Sequence, residues 1–492
     1  MPAHPSLAYR VLVSGVRFVL RIFFREIAVE GREHIPTDRG GLLVAWHPNG
    51  LIDPALILAH FPGRLVFGAR DGLFRWPVIG WIMKQVGTVP IYRASDQKTM
   101  SEDERDRANK QSLAALAGEI AQGSFSALFP EGQSHDQPYL SELKSGAARL
   151  YYQARASAEA TPVIIPVGLH YDRKDVFRSD VLIVFHDPMT LPADLDIEPN
   201  PQEDDTAARA RTHRLTDEIE RTLGQVVHST EDWQLHALMH RARTLLRAEA
   251  AERADEDLAP ESITERQLGF AQIWHGYQVR HASHPEEIAS LRHDLTRYHR
   301  LLRALGLEDA DLDRDPHLSR PLSVTLLVLR AFLIYVLLPP VLLLGYVING
   351  PVHLLIRWLA KRYSGAIKDT ATVKILTGFV LYPLTWTLWG LGAALVHAQL
   401  HTAFPTLPDT PFLTGLVVVM LGFLSGVLVL NYAQLAAATG RALRVRLTRQ
   451  KRKDQIADLC AKRSALHDRF LALREGLALP DEVTDLSPSA GT

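Results

Sequence analysis

GGLLVAWHPNGLIDP, residues 40–54, is an apolar run that breaks into a polar loop holding one histidine and one aspartate. Residues 40–46 form one short, unbroken apolar run of strand-like character. Further strand-like runs occur at 126–129 and 163–167, each with Gly or Pro nearby, and a helical pattern occupies 106–122 between them. Strands interleaved with helices predict an α/β layer structure from about residue 29 to 200. The polar, Pro-bearing segment 192–205 marks its end. From 201 to 322 the pattern is charged and helical. Leu291, Leu295, Tyr298, Leu302 and Leu305 follow at offsets of 4, 3, 4 and 3, one face of a helix. This block is expected to be a helical subdomain.

Beyond it, residues 331–356, 375–408 and 410–440 contain no Lys, Arg, Asp or Glu. Uncharged stretches above about 18 residues are membrane-spanning candidates. The expected membrane region is 323–440, with spans at 375–396 and 412–435. The loop 357–374 carries five basic residues and one acidic, and 441–453 carries seven basic residues. The connection 397–410 has no Lys or Arg, so the positive-inside rule puts both basic segments in the cytoplasm. A single span at 326–356 would then place the preceding domain outside. Pro339 and Pro340 interrupt that stretch, which is expected to be a re-entrant hairpin that enters and leaves on the cytoplasmic face, resolving the conflict, with a single tilted, Pro-kinked span as the alternative. A basic cytoplasmic tail, 441–492, follows. At the other end, Arg10, Arg17, Arg21 and Arg25 form one helical stripe beside Val13, Val16, Leu20 and Phe23, as expected of an interfacial amphipathic helix over 1–28.

The chain has 492 residues and a net charge of −1, which gives no support to nucleic-acid binding. One cysteine, Cys460, excludes an internal disulfide and a cysteine-based metal cluster. His135 and Asp136 are not joined by further residues at ligand spacing, so no metal is expected.

Four segments carry candidate chemistry. In HPNGLIDP, Asp53 is placed to return to His47 across a turn; a carboxylate on one ring nitrogen leaves the other free to take a proton from an alcohol. GTVPIYR ends a β-like run on Arg93, whose planar donors suit a phosphate. FPEGQSH and LKSGAARL present Glu131 for substrate hydroxyls, Gly132 for close backbone approach, and Lys144 before a helix start, where anions are favoured. VIIPVGLHY, 163–171, reads as a core strand without direct chemistry.

Taken in order, these blocks resemble the glycerolipid acyltransferase family, over roughly residues 30–170. The family's His–Asp spacing is usually four residues, whereas five stand here, and Trp46 precedes the histidine where Asn is common. The longer spacing and the FPEGQSHD form look like the fungal-type glycerol-3-phosphate/dihydroxyacetone-phosphate acyltransferases and their bacterial relatives. The resemblance implies an α/β domain with a mixed sheet flanked by helices. It also implies a membrane-bound O-acyltransferase with its catalytic domain on the cytoplasmic face of the inner membrane. His47 would be the general base and Asp53 its partner. Arg93 and Lys144 would bind phosphate, Glu131 and Gly132 would shape the acceptor site, and Arg70 is a further basic candidate. Acyl-CoA or acyl-carrier protein would be the donor, glycerol-3-phosphate the acceptor, and no cofactor is implied. The alternatives are acylation of lysophosphatidic acid and, from another class, a membrane lipid transporter or non-catalytic scaffold.

Overall fold

A computed structural model describes residues 6–75, 77–92, 101–199, 202–313, 321–364 and 367–486. After helix α1 (Leu7–Phe23) come β1 (Glu26–Glu30), β2 (Gly41–Ala45), α2 (Ile52–His60), β3 (Leu65–Arg70), α3 (Pro77–Gln85) and β4 (Val89–Ile91). Then follow α4 (Glu102–Ala121), β5 (Phe125–Leu128), α5 (Gly146–Arg155), β6 (Val163–Tyr171) and β7 (Asp180–Phe185). The sheet order is β1-β7-β6-β2-β5-β3-β4, parallel throughout except where β6 meets β7. The sheet is therefore mixed, with helices on both faces. β2 lies in its middle with all five residues buried, which is why it reads as an unbroken apolar run.

The parallel register has a direct consequence. β2, β5, β6 and β3 all end at one edge, so the residues at or just beyond their ends gather there: His47, Glu131, Tyr171 and Arg70. In open parallel sheets that carboxyl edge is where ligands bind.

The helical region contains α6 (Asp205–Val227), α7 (Trp233–Ala254), α8 (Ile263–Ser283) and α9 (Pro285–Ala304). A boundary at residue 200 assigns α6 to the helical subdomain. The structure corrects this: Leu215, Ile219 and Leu223 of α6 join Leu42 and Val44 of β2, and residues of α4 and α5, in one core. α6 covers the sheet. α9 has the expected face, with Leu291, Leu295, Tyr298 and Leu302 buried.

The membrane region comprises α10 (Pro321–Phe332), a π-helical turn (Leu333–Leu337), α11 (Leu338–Val341), α12 (Leu343–Tyr363), α13 (Ile367–Ala403) and α14 (Pro411–Lys451). Among the described residues α12, α13 and α14 are long and apolar enough to cross a membrane. Small residues let α13 and α14 approach closely: a Cβ on Gly390 would stand 2.7 Å from the Gly415 carbonyl oxygen. Asn349 clasps the bundle by donating to Gly422 O at 3.2 Å and accepting from Trp386 Nε1 at 2.9 Å.

Both ends of the segment 321–363 lie at one end of this bundle. Asp311, just upstream, accepts from Arg441 at 3.0 Å, near the end of α14. Tyr335 then donates to Ala436 O at 2.7 Å, and Asn349 reaches further along α14. Ile356 comes back beside Gly378, and α13 restarts at the α/β domain.

The tail also departs from its expected form. Residues 441–451 continue α14, and α15 (Lys453–Arg474) folds back so that Ile456, Leu459, Leu466 and Leu473 pack with α7 and α9. Arg463, 1% exposed, holds Glu249 at 2.8 Å and both oxygens of Asp313. Further on, Thr484 O accepts from His186 Nδ1 at 2.8 Å. The tail thus completes the helical subdomain and reaches the sheet. α1 docks through Tyr9, Val13, Leu20 and Phe23, while Leu7, Val11, Phe18 and Ile22 form an exposed apolar row at offsets of 4, 7 and 4.

Histidines fill the seam between sheet and helices. His170 of β6 lies 5.8 Å from His228, which lies 5.2 Å from Trp274; His236 and His240 flank Phe270. Burial, then neighbouring histidines, pushes His228 down to about 3; burial pushes His236 to about 4 and, helped by His236, His240 to about 3. These rings are neutral when folded. Below about pH 6.5 the unfolded chain binds protons that the folded chain refuses, so stability falls with pH from there towards the folded values. Each such ring is expected to cost about 1.4 kcal/mol one pH unit below its unfolded pKa. Thermal melts from pH 7.5 to 5.0 should show this slope, and His228→Asn, which tolerates the left-handed backbone there (φ 51°), should flatten it.

Candidate active site

β2 delivers His47 into a loop, Pro48 to Leu51, that turns directly into α2. The Ile52 and Asp53 amides return to the Asn49 carbonyl at 2.9 and 3.3 Å, closing the turn. Asp53 therefore stands in the first turn of α2, where a negative charge is favoured. It is fully buried, and three donors meet it. His47 Nδ1 donates to Oδ2 at 2.8 Å, the Asn49 amide donates to Oδ2 at 2.7 Å, and the Tyr171 hydroxyl donates to Oδ1.

With Nδ1 committed to a carboxylate, the His47 proton is fixed on that nitrogen and Nε2 is basic. Among the described residues Nε2 takes no hydrogen bond. The ring stacks on Phe129, centroids 4.1 Å apart and planes 17° apart, so its tilt is set as well as its tautomer. Tyr171 lies at the end of the strand read as plain core. Burial and then the Asp53 charge push its phenol well above the usual range, so it remains a donor. The sequence held no local signal for this: the two residues are 118 positions apart.

Glu131 is placed differently from the expectation that it faces substrate. It is 3% exposed, and its oxygens serve the protein's own loops. The His47 amide donates to Oε1 at 2.9 Å; the Ser141 amide (3.0 Å) and the His135 ring donate to Oε2. His135 N also donates to the His47 carbonyl at 3.1 Å. Glu131 thus stitches the FPEGQSH loop to the histidine loop. Gly132 follows with φ +70°, a left-handed turn that favours glycine, and its amide is taken by Phe129 O at 2.9 Å.

Two of the basic candidates lie among the described residues. Lys144 lies close to Gly132, with its side chain 67% exposed. Arg70 ends β3 at the same sheet edge. Arg93 lies outside the described residues; β4, which leads to it, ends at Ile91 beside Arg70. Sequence reasoning passed over a fourth cation, Lys174. Its Nζ donates to Pro48 O at 2.9 Å and pairs with Asp136 Oδ1 at 2.7 Å, clamping both loops.

The membrane bundle meets the site directly. Lys368 donates to Ser134 O, and Lys374 to Asp175 O. A Cβ on Gly50 would lie 3.2 Å from both Lys368 O and Thr372 Oγ1. Ala371, fully buried, shares a core with Ile52 and Leu56. The first turns of α13 sit on the loop that carries His47.

Residues 26–170 match the sequence model of the Acyltransferase family, and residues 270–476 match that of the glycerol-3-phosphate acyltransferase 2 C-terminal domain. Glycerol-3-phosphate O-acyltransferase 1 of Saccharomyces cerevisiae is 26% identical over 278 residues, 56% of this chain and 34% of the yeast protein. A lyso-ornithine lipid O-acyltransferase of Rhodobacter capsulatus is 30% identical over 136 residues, 28% of this chain and 43% of that protein. A crystal structure of a 1-acyl-sn-glycerophosphate acyltransferase from Thermotoga maritima has a TM-score of 0.29 at 19% identity, covering 44% of this chain and 79% of that one. The chain spans about a third of the length of the yeast relative. The chain thus carries an Acyltransferase-family domain around His47 and, over residues 270–476, a region of the glycerol-3-phosphate acyltransferase 2 C-terminal type.

Proposed function

We propose that this protein is an O-acyltransferase that moves a fatty acyl group from a thioester donor, acyl-CoA or acyl-carrier protein, to a hydroxyl of glycerol-3-phosphate. One observation carries the reaction type: an imidazole oriented by a buried carboxylate, its second nitrogen unbonded, at the carboxyl edge of the sheet. His47 Nε2 takes the hydroxyl proton as the oxygen attacks the thioester carbonyl, and Asp53 stabilises the imidazolium that forms. The thiolate leaves and is protonated from His47, so no acyl-enzyme is needed. The acceptor rests on the resemblance to the yeast glycerol-3-phosphate enzyme, on the cations Arg70 and Lys144 near this sheet edge, and on Arg93 as the sequence motif offers it. Lysophosphatidic acid uses the same chemistry.

His47→Ala should lower kcat roughly 10²–10⁴-fold with the protein still folded, and Asp53→Asn should act similarly. Tyr171→Phe removes one hydrogen bond to a charged group, worth about 1.5–3 kcal/mol, so its loss should stay within about 100-fold. Near-normal turnover in folded His47→Ala would overturn the mechanism.

Glycerol-3-phosphate, dihydroxyacetone phosphate and lysophosphatidic acid, each offered with acyl-CoA, should rank with glycerol-3-phosphate first. Arg93→Ala should raise the KM for the acceptor about tenfold or more while leaving the donor KM near normal. Exclusive use of lysophosphatidic acid would instead assign the second acylation.

The catalytic domain is assigned to the cytoplasmic face of the cell membrane, beside the basic ends of α13 and α14. In intact cells, single cysteines near Arg320 and near Arg362, on a Cys460→Ser background, should both resist an impermeant thiol reagent. Labelling at the first position alone would show that residues 321–363 span the membrane.

A further inference from the structure

α7, α8, α9 and α15 turn apolar faces towards one another yet leave a cavity of about 370 Å³ between them. Its walls include Leu246, Ile273, Leu291, Leu295, Phe470 and Leu477, and no residue of the acyltransferase sheet lines it. Gly276 of α8 opens part of the space: a Cβ there would meet only Leu477 Cδ1, at 3.9 Å. A packed core normally fills such gaps.

The charges around it are one-sided. Arg243, Arg247, Arg280, Arg292 and Arg474 line the cavity against one carboxylate, Glu261. Glu261 is shared by Arg243 and, at 3.3 Å, Arg247. Arg280 donates to Leu473 O and Glu475 O, which fixes its position and leaves its charge uncompensated. Arg292 makes a single long bond of 3.4 Å to the Tyr277 hydroxyl, which Glu231 also approaches, and the exposed Arg474 side chain makes none among the described residues. An apolar slot edged by guanidinium groups that have no carboxylate partner among the described residues fits a ligand that is apolar along its length and anionic at one end.

We propose that this cavity is a binding site for a single-chain acyl amphiphile with an anionic headgroup, its tail among the leucines and its carboxylate or phosphate on Arg292 and Arg474. The volume lies near the lower end for small-molecule sites, about 300–1,000 Å³, which suits one chain and not two. The site is separate from His47, and it is built partly by α15, whose chain continues from α14 of the membrane bundle.

The test uses the full chain in nanodiscs with three photoactivatable probes of equal chain length: a diazirine fatty acid, a diazirine lysophosphatidic acid and a diazirine fatty alcohol. After photolysis, peptides from α8, α9 and α15 should carry the label from an anionic probe and about tenfold less from the alcohol. Stronger labelling by the acid or by the lysophosphatidic acid identifies the headgroup as carboxylate or phosphate, and either supports the site. Gly276→Phe fills the space and should remove the label; Arg292→Gln with Arg474→Gln, which leaves the cavity intact, should bring the anionic probes down to the alcohol's level. His47→Ala should label as wild type does, so failure of the proposed catalytic reading leaves this test standing. The site is refuted by absence of label on these helices, by equal labelling from the alcohol, or by unchanged labelling in folded Gly276→Phe.

Discussion

The oxygens of a fully buried carboxylate have to be matched by donors, and Asp53 is matched by three from different parts of the chain. The imidazole comes from the end of β2, the amide from the turn between β2 and α2, and the phenol from the far end of β6. Satisfying this one charge therefore fixes the mutual position of two neighbouring parallel strands and a helix start. It also fixes the tautomer of His47. A second buried carboxylate, Glu131, repeats the device between loops, taking the His47 amide on one oxygen and the Ser141 amide on the other. Between them the two acids hold both the backbone and the ring of His47.

What could be read from the sequence was whatever is local. Residues 40–46 carry their burial in their composition, and the turn from His47 to Asp53 closes within seven residues, so the pair was visible. The α9 face was visible for the same reason, since its periodicity needs no partner. Tyr171 was not, because its role exists only when β6 lies parallel to β2. Glu131 was read as a substrate ligand because its side chain is polar and its neighbours turn-forming; only the folded loops show that its oxygens are already occupied. α6 was misassigned because its charged outer face dominates the pattern, while Leu215, Ile219 and Leu223 complete a core already formed by β2, α4 and α5. The tail looked like an appendage because its partners, Glu249 and Asp313, lie more than a hundred residues upstream of Arg463.

The attachment of the bundle to the domain explains a feature that chemistry alone does not require. A His–Asp pair needs a rigid loop, yet HPNGLIDP carries Gly50 at φ +36° with a helix pressed against it. A side chain at that position would stand against Lys368 O and Thr372 Oγ1, so the small residue is the condition for close seating of α13. α13 is apolar over the stretch that follows, and its first turns are polar where they meet the loop. The boundary between the two solvents therefore falls within a few turns of His47. In the proposed reaction a glycerol phosphate would come from water and the acyl chain of the donor from the apolar side. A loop seated on the first turns of a membrane helix would let both reach His47. Held at that depth by Lys368 and Lys374, the loop gains from the membrane helix a position that the sheet alone could not give it.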